Sequence, residues 1–347
     1  MKTQYQKAQA FRALHERPGL FVTPNPWDRG SAILLEQMGF QALATTGAGF
    51  AFSCGAPDNS VGLDRMLMHL REVSSATQLP VSADLENGYA HTPQAVARTI
   101  SRAAEAGVVG GSIEDSTGNP QTPLYPFSQA VERVHAAVEA ALALPFPFTL
   151  TARAENYFCS PNPDLDDVLR RLQAYEAVGA DVLFAPGIRR LSDLATLVQA
   201  VHRPVNVMMG FPSADFGLKE LADLGVKRVS LGGSLARTAL GAVLRAGEEV
   251  LKLGTFSFAD QAIPNGEMNA RFANRAQQQG EGGCHGYTPY RTRSLLARLL
   301  DLLARHPPPL GDQRVTHAML KDLGLSRNDI PAIRTGRFVQ DETRRQR

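Results

Sequence analysis

The stretch Pro80-Val81-Ser82-Ala83-Asp84-Leu85-Glu86-Asn87-Gly88-Tyr89, followed by Gly110-Gly111-Ser112-Ile113-Glu114-Asp115, decides how this chain is read. Each is a short apolar run ending in acidic residues, and the segment between them, from about Pro93 to Ala106, has helical spacing. Two such strands joined by a helix form a parallel pair whose C-terminal ends open on one surface. Asp84, Glu86 and Glu114 then gather hard oxygen donors that suit Mg²⁺, with Mn²⁺ as the alternative.

Runs of the same kind recur at 20–24, 42–47, 148–155, 181–187, 204–210 and 228–233, giving eight in all. Helical periodicity separates them at 31–38, 95–106, 128–143, 165–178, 191–201 and 216–224, and Gly39, Gly107, Gly179 and Gly225 stand where helix C-caps are expected. Eight alternations over about 230 residues predict an α/β fold of the (β/α)₈ TIM-barrel type. The competing doubly wound sheet lacks its usual sign, because no GxGxxG follows the first run, which continues Asn25-Pro26-Trp27-Asp28-Arg29-Gly30.

The expected organisation is a barrel catalytic domain over 1–272, then a linker and a basic, partly helical C-terminal extension over 273–347. Residues 276–290 read as the linker, and 294–304 and 317–323 as short helices. At 347 residues and 44% hydrophobic the chain can bury a large core. The net charge of +2 does not by itself indicate nucleic acid, although residues 271–347 carry about seven more Arg and Lys than Asp and Glu. Cys54, Cys159 and Cys284 are widely spaced with no CxxC pair, which fits a reducing cytoplasm. No run of about 18 apolar residues is present, so no membrane association is expected.

In a barrel the strand ends meet at one mouth. There Thr46, Gly47 and Ala48 offer backbone N–H groups to an oxyanion, Arg153 offers a two-pronged partner for a substrate carboxylate, and Trp27 and Asn206 complete the wall. Each residue also has a plainer reading. Asp84 and Glu114 can cap helices or pair with Arg153, Trp27 can pack in the core, and Asp58 and Asp64 read as solvated charges on a long loop. Cys159 reads as a packed or idle thiol, and Gly232-Gly233 as either a phosphate site or a tight contact.

With these residues assembled, the chain resembles the isocitrate lyase and phosphoenolpyruvate mutase superfamily over roughly residues 5–270. The matching text is Asn25-Pro26-Trp27-Asp28, Ala44-Thr45-Thr46-Gly47-Ala48-Gly49, Gly55-Ala56-Pro57-Asp58, Ser82-Ala83-Asp84, Gly88-Tyr89, Ser112-Ile113-Glu114-Asp115 and Thr151-Ala152-Arg153. The resemblance implies that Asp84 and Glu114 lie in the metal shell, with Glu86 as the substitute for a missing acid, and Asp58, Arg153 and Glu114 are the candidates for catalytic roles. It implies substrate binding by Thr46, Gly47, Ala48 and Arg153, to which the reading of the strand ends adds Trp27 and Asn206, and a homo-oligomer that exchanges its last barrel helix. Two departures stand out: Ser82 replaces the first acid of an Asp-Ala-Asp pattern, and 116–123 replaces the Lys-Cys-Gly-His loop of the lyases. Residues 320–330 resemble the core of short Arg-rich bacterial proteins.

Three functions follow as expectations. The first is Mg²⁺-dependent cleavage or decarboxylation of a small 2-oxo or 2-hydroxy diacid through a pyruvate-like enolate. The second is P–C bond chemistry of the phosphonomutase or phosphonopyruvate hydrolase kind. The third is a weakly catalytic barrel whose basic tail binds RNA or an acidic partner.

Overall fold

The computed structural model describes residues 2–211 and 216–278. Its strands are β1 (Phe21–Thr23), β2 (Leu43–Ala44), β3 (Val81–Asp84), β4 (Gly110–Glu114), β5 (Thr149–Arg153), β6 (Val182–Phe184), β7 (Val205–Met208) and β8 (Arg228–Ser230). The helices are α1 (Gln4–Glu16), α2 (Arg29–Gln37), α3 (Gly47–Ser53), α4 (Leu63–Ser75), α5 (Pro93–Glu105), α6 (Phe127–Leu142), α7 (Asn156–Cys159), α8 (Leu165–Ala177), α9 (Leu191–Ala200), α10 (Leu218–Asp223), α11 (Ser234–Leu253) and α12 (Asn265–Gln278). All pairings are parallel, in the order β1-β8-β7-β6-β5-β4-β3-β2. The ring is completed between β1 and β2 by the Ala44 N–H, which donates to the Pro24 carbonyl at 3.1 Å. Asn25 reinforces this seam, donating to the Thr45 carbonyl and accepting from the N–H groups of Leu231 and Gly232. The fold is the expected (β/α)₈ barrel.

Each expected strand exists but is shorter than its apolar run, because the last residues of the run leave the ladder for the loops at the mouth. Gly39, Gly107, Gly179 and Gly225 all adopt positive φ, closing α2, α5, α8 and α10 as expected of C-cap glycines. The structure adds helices that periodicity did not reveal. Helix α1 buries only Lys7, Ala8, Phe11 and Leu14, too narrow a stripe to stand out in a polar segment. Asp64, expected on a loop, lies in the first turn of α4 and pairs with Arg102 at 2.6 Å. Helix α12 runs to Gln278, so the expected linker begins inside a helix. The rest of the tail reading lies outside the described residues.

The barrel interior is unusual in being polar. Arg228 on β8 donates to Thr151 Oγ1 on β5 at 2.9 Å, a bond that crosses the interior because β6 and β7 separate those strands. Its Nε donates to Asn206 Oδ1 at 2.8 Å, and burial lowers its pKa to about 9. Below it, α1 closes the barrel floor with Phe11, His15 and Phe21 packed edge to face. Gly110 makes this closure feasible: a Cβ there would stand 2.8 Å from the Thr149 carbonyl and 3.0 Å from the Phe11 ring. The apolar core lies between the outer faces of the strands and the helices, where Leu43, Ile100, Leu150 and Leu172 are fully buried. Among the described residues no helix is long and apolar enough to cross a membrane.

One core group makes stability pH-dependent. His69 of α4 is buried, stacks on Phe50 at 3.9 Å, and is held by burial at a pKa of about 4, the Asp28 charge opposing. Between pH 6.5 and 4 the unfolded chain takes up a proton that the native chain refuses, so stability falls as pH falls. At pH 5 this amounts to about 2 kcal/mol. Urea unfolding at pH 7.5 and pH 5.0 should show a loss smaller by that amount in His69→Phe; equal losses would show that His69 does not titrate as its burial requires.

Candidate active site

The mouth of the barrel is built by adjacent strand ends in register. Glu114 and Arg153 are direct partners across β4 and β5, so their side chains emerge on the same side. Asp84 ends β3, where its N–H donates to Thr45 Oγ1 at 2.9 Å. Arg153 fans across the acids, with Nη1 2.9 Å from Asp84 Oδ1, Nη2 3.2 Å from Glu114 Oε2, and Nε and Nη2 each 2.8 Å from Glu155 Oε1. The Phe184 ring lies 5.2 Å from the same guanidinium.

Loops add the remaining acids. Glu86 (φ 50°) and Tyr89 (φ 53°) both sit in left-handed backbone, a strain of roughly 1–2 kcal/mol each. Arg133, buried on α6, offsets it by donating to the carbonyls of Asn87, Ala90 and His91. Tyr89 in turn donates its hydroxyl to Glu86 Oε1 at 3.1 Å. Asp115 faces away from the cavity. It is buried, accepts from the Glu155 N–H at 2.8 Å, the Tyr175 hydroxyl at 2.6 Å and Arg171 at 3.1 Å, and so fixes the backbone that carries Glu155.

A cavity of about 520 Å³ is lined by five carboxylates, Asp58, Asp84, Glu86, Glu114 and Glu155, and by Arg153, Arg228 and Arg237. Of these arginines only Arg153 forms ion pairs with the acids among the described residues. The negative charge is therefore undercompensated, and it shows in the proton affinities. Burial, then the Asp84 charge, pushes Glu86 up to about 7. Burial pushes Glu155 up to about 7 against the pull of Arg153, and raises Glu114 as well. Partial desolvation at the rim, then Asp84, raises Asp58. Burial opposes the Arg153 charge, but Glu114, Glu155 and Asp84 outweigh it and keep the guanidinium protonated.

Such a cluster fits a hard divalent cation. Asp84 Oδ2 and Glu86 Oε1 lie within 3.5 Å and 2.9 Å of the point where a Cβ on Gly47 would stand, so both oxygens converge on the space that this glycine leaves open. Among the described residues no three acids, histidines or cysteines are already arranged as a closed coordination shell. Mg²⁺ tolerates that, since it keeps several waters and takes few direct carboxylate contacts.

Of the residues singled out in the sequence, Asp58, Thr46, Ala48, Asp84, Glu86, Glu114, Arg153 and Asn206 line the cavity. Trp27 is not among its lining residues; it is half-buried, with its Cβ 3.1 Å from the position of a Cβ on Gly49. The Gly47 N–H, read as an oxyanion donor, already donates to Asp84 Oδ2 at 2.9 Å. Asp28 caps α2 through the Ser31 N–H at 2.6 Å. Cys159 does reach the cavity, but burial, then the Glu155 charge, pushes its thiol up to about 11. Sequence reading missed Arg228 and Arg133, whose positive charges within a strand and a helix carried no signal of their destination.

The phosphoenolpyruvate phosphomutase family model matches residues 11–251. The chain belongs to this family. Among solved structures, one from Burkholderia cenocepacia J2315, provisionally called a lyase/mutase, is 57% identical, with a TM-score of 0.77 over 78% of this chain and 97% of that one. A 2,3-dimethylmalate lyase structure is 26% identical with a TM-score of 0.70, covering 80% of this chain and 98% of that one. The oxaloacetate decarboxylase of Bradyrhizobium diazoefficiens is 27% identical over 80% of this chain and 96% of its own length. The 2-methylisocitrate lyase of Escherichia coli K12 is 29% identical over 58% and 69% respectively. Family relatives are thus lyases and decarboxylases, and this chain is an enzyme of the same family.

The glycine that leaves the cluster open gives a direct check. Gly47→Ala places a methyl group 2.9 Å from Glu86 Oε1 and must displace that side chain. Mn²⁺ affinity, followed by electron paramagnetic resonance, should weaken about tenfold, the equivalent of one lost charge-assisted contact, while the melting temperature changes little. Unaltered Mn²⁺ affinity would separate Gly47 and Glu86 from the cation.

Proposed function

We propose that this protein is a Mg²⁺-dependent carbon–carbon lyase or decarboxylase that acts on a small 2-oxo or 2-hydroxy diacid through a pyruvate-like enolate. The observation that carries the reading is the undercompensated acid cluster around Arg153. A substrate dianion cannot approach five carboxylates without an additional cation, and oxygen donors in this number select a hard one. Relatives named as decarboxylase and lyase, and a phosphonopyruvate hydrolase of the same fold solved with oxalate and Mg²⁺, agree with it.

Asp84, Glu86 and Glu114 would hold the metal. When bound, Mg²⁺ supplies Lewis-acid stabilisation of charge on the enolate oxygen. Arg153, which stands among the same acids, would clamp the substrate carboxylate. Thr46 and Ala48 border the oxo-acid end, and Asn206, oriented by Ser230 and Arg228, presents its amide from the opposite strands. Asp58 stands at the rim with a raised proton affinity, where it can deliver or accept a proton at the open side. Decarboxylation suits the 116–123 loop, because carbon dioxide leaves without needing a proton. In that loop Thr117 donates to the Thr122 carbonyl and Asn119 accepts from Gln121, so it is closed on itself.

The P–C reading is weaker on the same ground, since Asn119 and Thr122 are absent from the cavity lining and no lysine replaces them. Assembly into a homo-oligomer is part of the proposal. Helix α11 buries only Ala236 and exposes Leu240, Val243, Leu244 and Leu251, the surface expected of a helix that a neighbouring copy covers.

Asp84→Ala and Glu114→Ala should each lower oxaloacetate decarboxylation by about 100-fold or more, measured as pyruvate formation in Mg²⁺. Wild-type rates in both variants, with the fold intact by circular dichroism, would remove the acid cluster from the reaction.

A further inference from the structure

Among the described residues Arg228 has no acid partner, although it is buried on β8 in the barrel interior. The side chains it meets are all neutral. Its Nε donates to Asn206 Oδ1 at 2.8 Å, and Nη2 donates to Thr151 Oγ1 at 2.9 Å. Nη1 lies 3.5 Å from Nε2 of His15, whose Nδ1–H donates to the Phe11 carbonyl at 2.8 Å. Burial, then the Arg228 charge itself, lowers His15 to about 3, so this ring stays neutral. Burial alone lowers Arg228 to about 9, which still leaves it charged at neutral pH. A desolvated cation without a counterion is costly to keep, and an apolar side chain would fill the same space without that cost.

The guanidinium holds something more specific than space. Asn206 and Arg228 are direct partners across β7 and β8, and Asn206 lines the cavity while only 2% exposed. The two ends of its amide have nearly the same shape, so its neighbours decide which way round it sits. Arg228 Nε can only donate, and it therefore claims the carbonyl end. Nδ2 then donates one hydrogen to Ser230 Oγ at 3.0 Å and keeps a second with no partner among the described residues. Thr151, on β5, holds the other edge of the planar guanidinium and resists its turning away from Asn206. The charge-assisted bond to the carbonyl also polarises the amide, which strengthens the N–H at its other end.

We infer that Arg228 is a positioning residue of this active site: it fixes the Asn206 amide with its donor end toward the substrate and strengthens that donor through its own charge, without touching the substrate. This rests on the substrate-binding role proposed for Asn206 above. It adds the residue that makes the amide a donor rather than an acceptor. A substrate oxygen on the β7 side then meets a polarised N–H, opposite the acids carried by β3 and β4. With the amide turned over, its carbonyl would face the same oxygen and repel it. Lysine at position 228 would keep the charge but has a single nitrogen in place of the fork that spans Asn206 and Thr151; methionine would keep neither.

The test uses the full-length protein with Mg²⁺, calorimetric titration with oxalate, and oxaloacetate turnover followed as pyruvate. Arg228→Met, Arg228→Lys and Asn206→Ala are compared singly, and each Arg228 variant is then combined with Asn206→Ala. Arg228→Met is expected to weaken oxalate binding about tenfold, as the loss of one charge-assisted hydrogen bond does, with Arg228→Lys between it and the wild type. In the Asn206→Ala background neither substitution should weaken binding further, a non-additivity that a merely structural role would not produce. Losses that multiply in either double variant overturn the inference, as does wild-type affinity in Arg228→Met or in Asn206→Ala. Arg228→Lys keeps the buried charge, so its pair of variants decides the question if Arg228→Met does not fold. A wild-type protein that neither binds oxalate nor turns over oxaloacetate removes the lyase reading, and this inference with it.

Discussion

A single guanidinium inside a ring of carboxylates governs this molecule. Arg153 contacts Asp84, Glu114 and Glu155, and without it three largely buried acids would face one another unpaired. One positive charge cannot neutralise them all, and burial, with neighbouring carboxylates adding to it, raises the proton affinities of Glu86 and Glu155. On the function proposed above, it is this deficit that a second, metal cation would relieve.

Holding that deficit in place requires the surrounding structure to be stiff. The β4–β5 register sets Glu114 beside Arg153, the Asp115 network with Tyr175 and Arg171 fixes the turn that carries Glu155, and Arg133 fastens the strained loop behind Glu86. None of these supporting residues needs to touch substrate. Their common feature is that a buried charge is spent on backbone carbonyls or on another buried group, which fixes geometry at a cost that an apolar core would not incur.

The barrel was legible in the sequence because buried parallel strands and their connecting helices repeat in a fixed order, and the C-cap glycines punctuate them. The acids were legible because they end apolar runs, as Asp84 and Glu114 do. Helix α1 was not, since it buries only Lys7, Ala8, Phe11 and Leu14, and Lys7 is buried to bond the Ser74 and Thr77 carbonyls. Nor could the sequence show that Asp115, one residue beyond Glu114, turns away from the cavity while its neighbour turns in; alternation along a strand predicts opposite faces but not which face holds the site. Phe158 and Phe211 both line the cavity although they are 53 positions apart, and their edge-to-face contact becomes visible only when α7 and the loop after β7 meet at the mouth.

The most direct measurement of the account is a crystal of the protein grown with Mn²⁺ and oxalate, examined by anomalous scattering. The charge deficit predicts one peak per chain bordered by Asp84, Glu86 and Glu114, with Arg153 turned from Asp84 toward an oxalate carboxylate. A cavity that holds oxalate on Arg153 with no anomalous peak, or a peak located elsewhere, would contradict it.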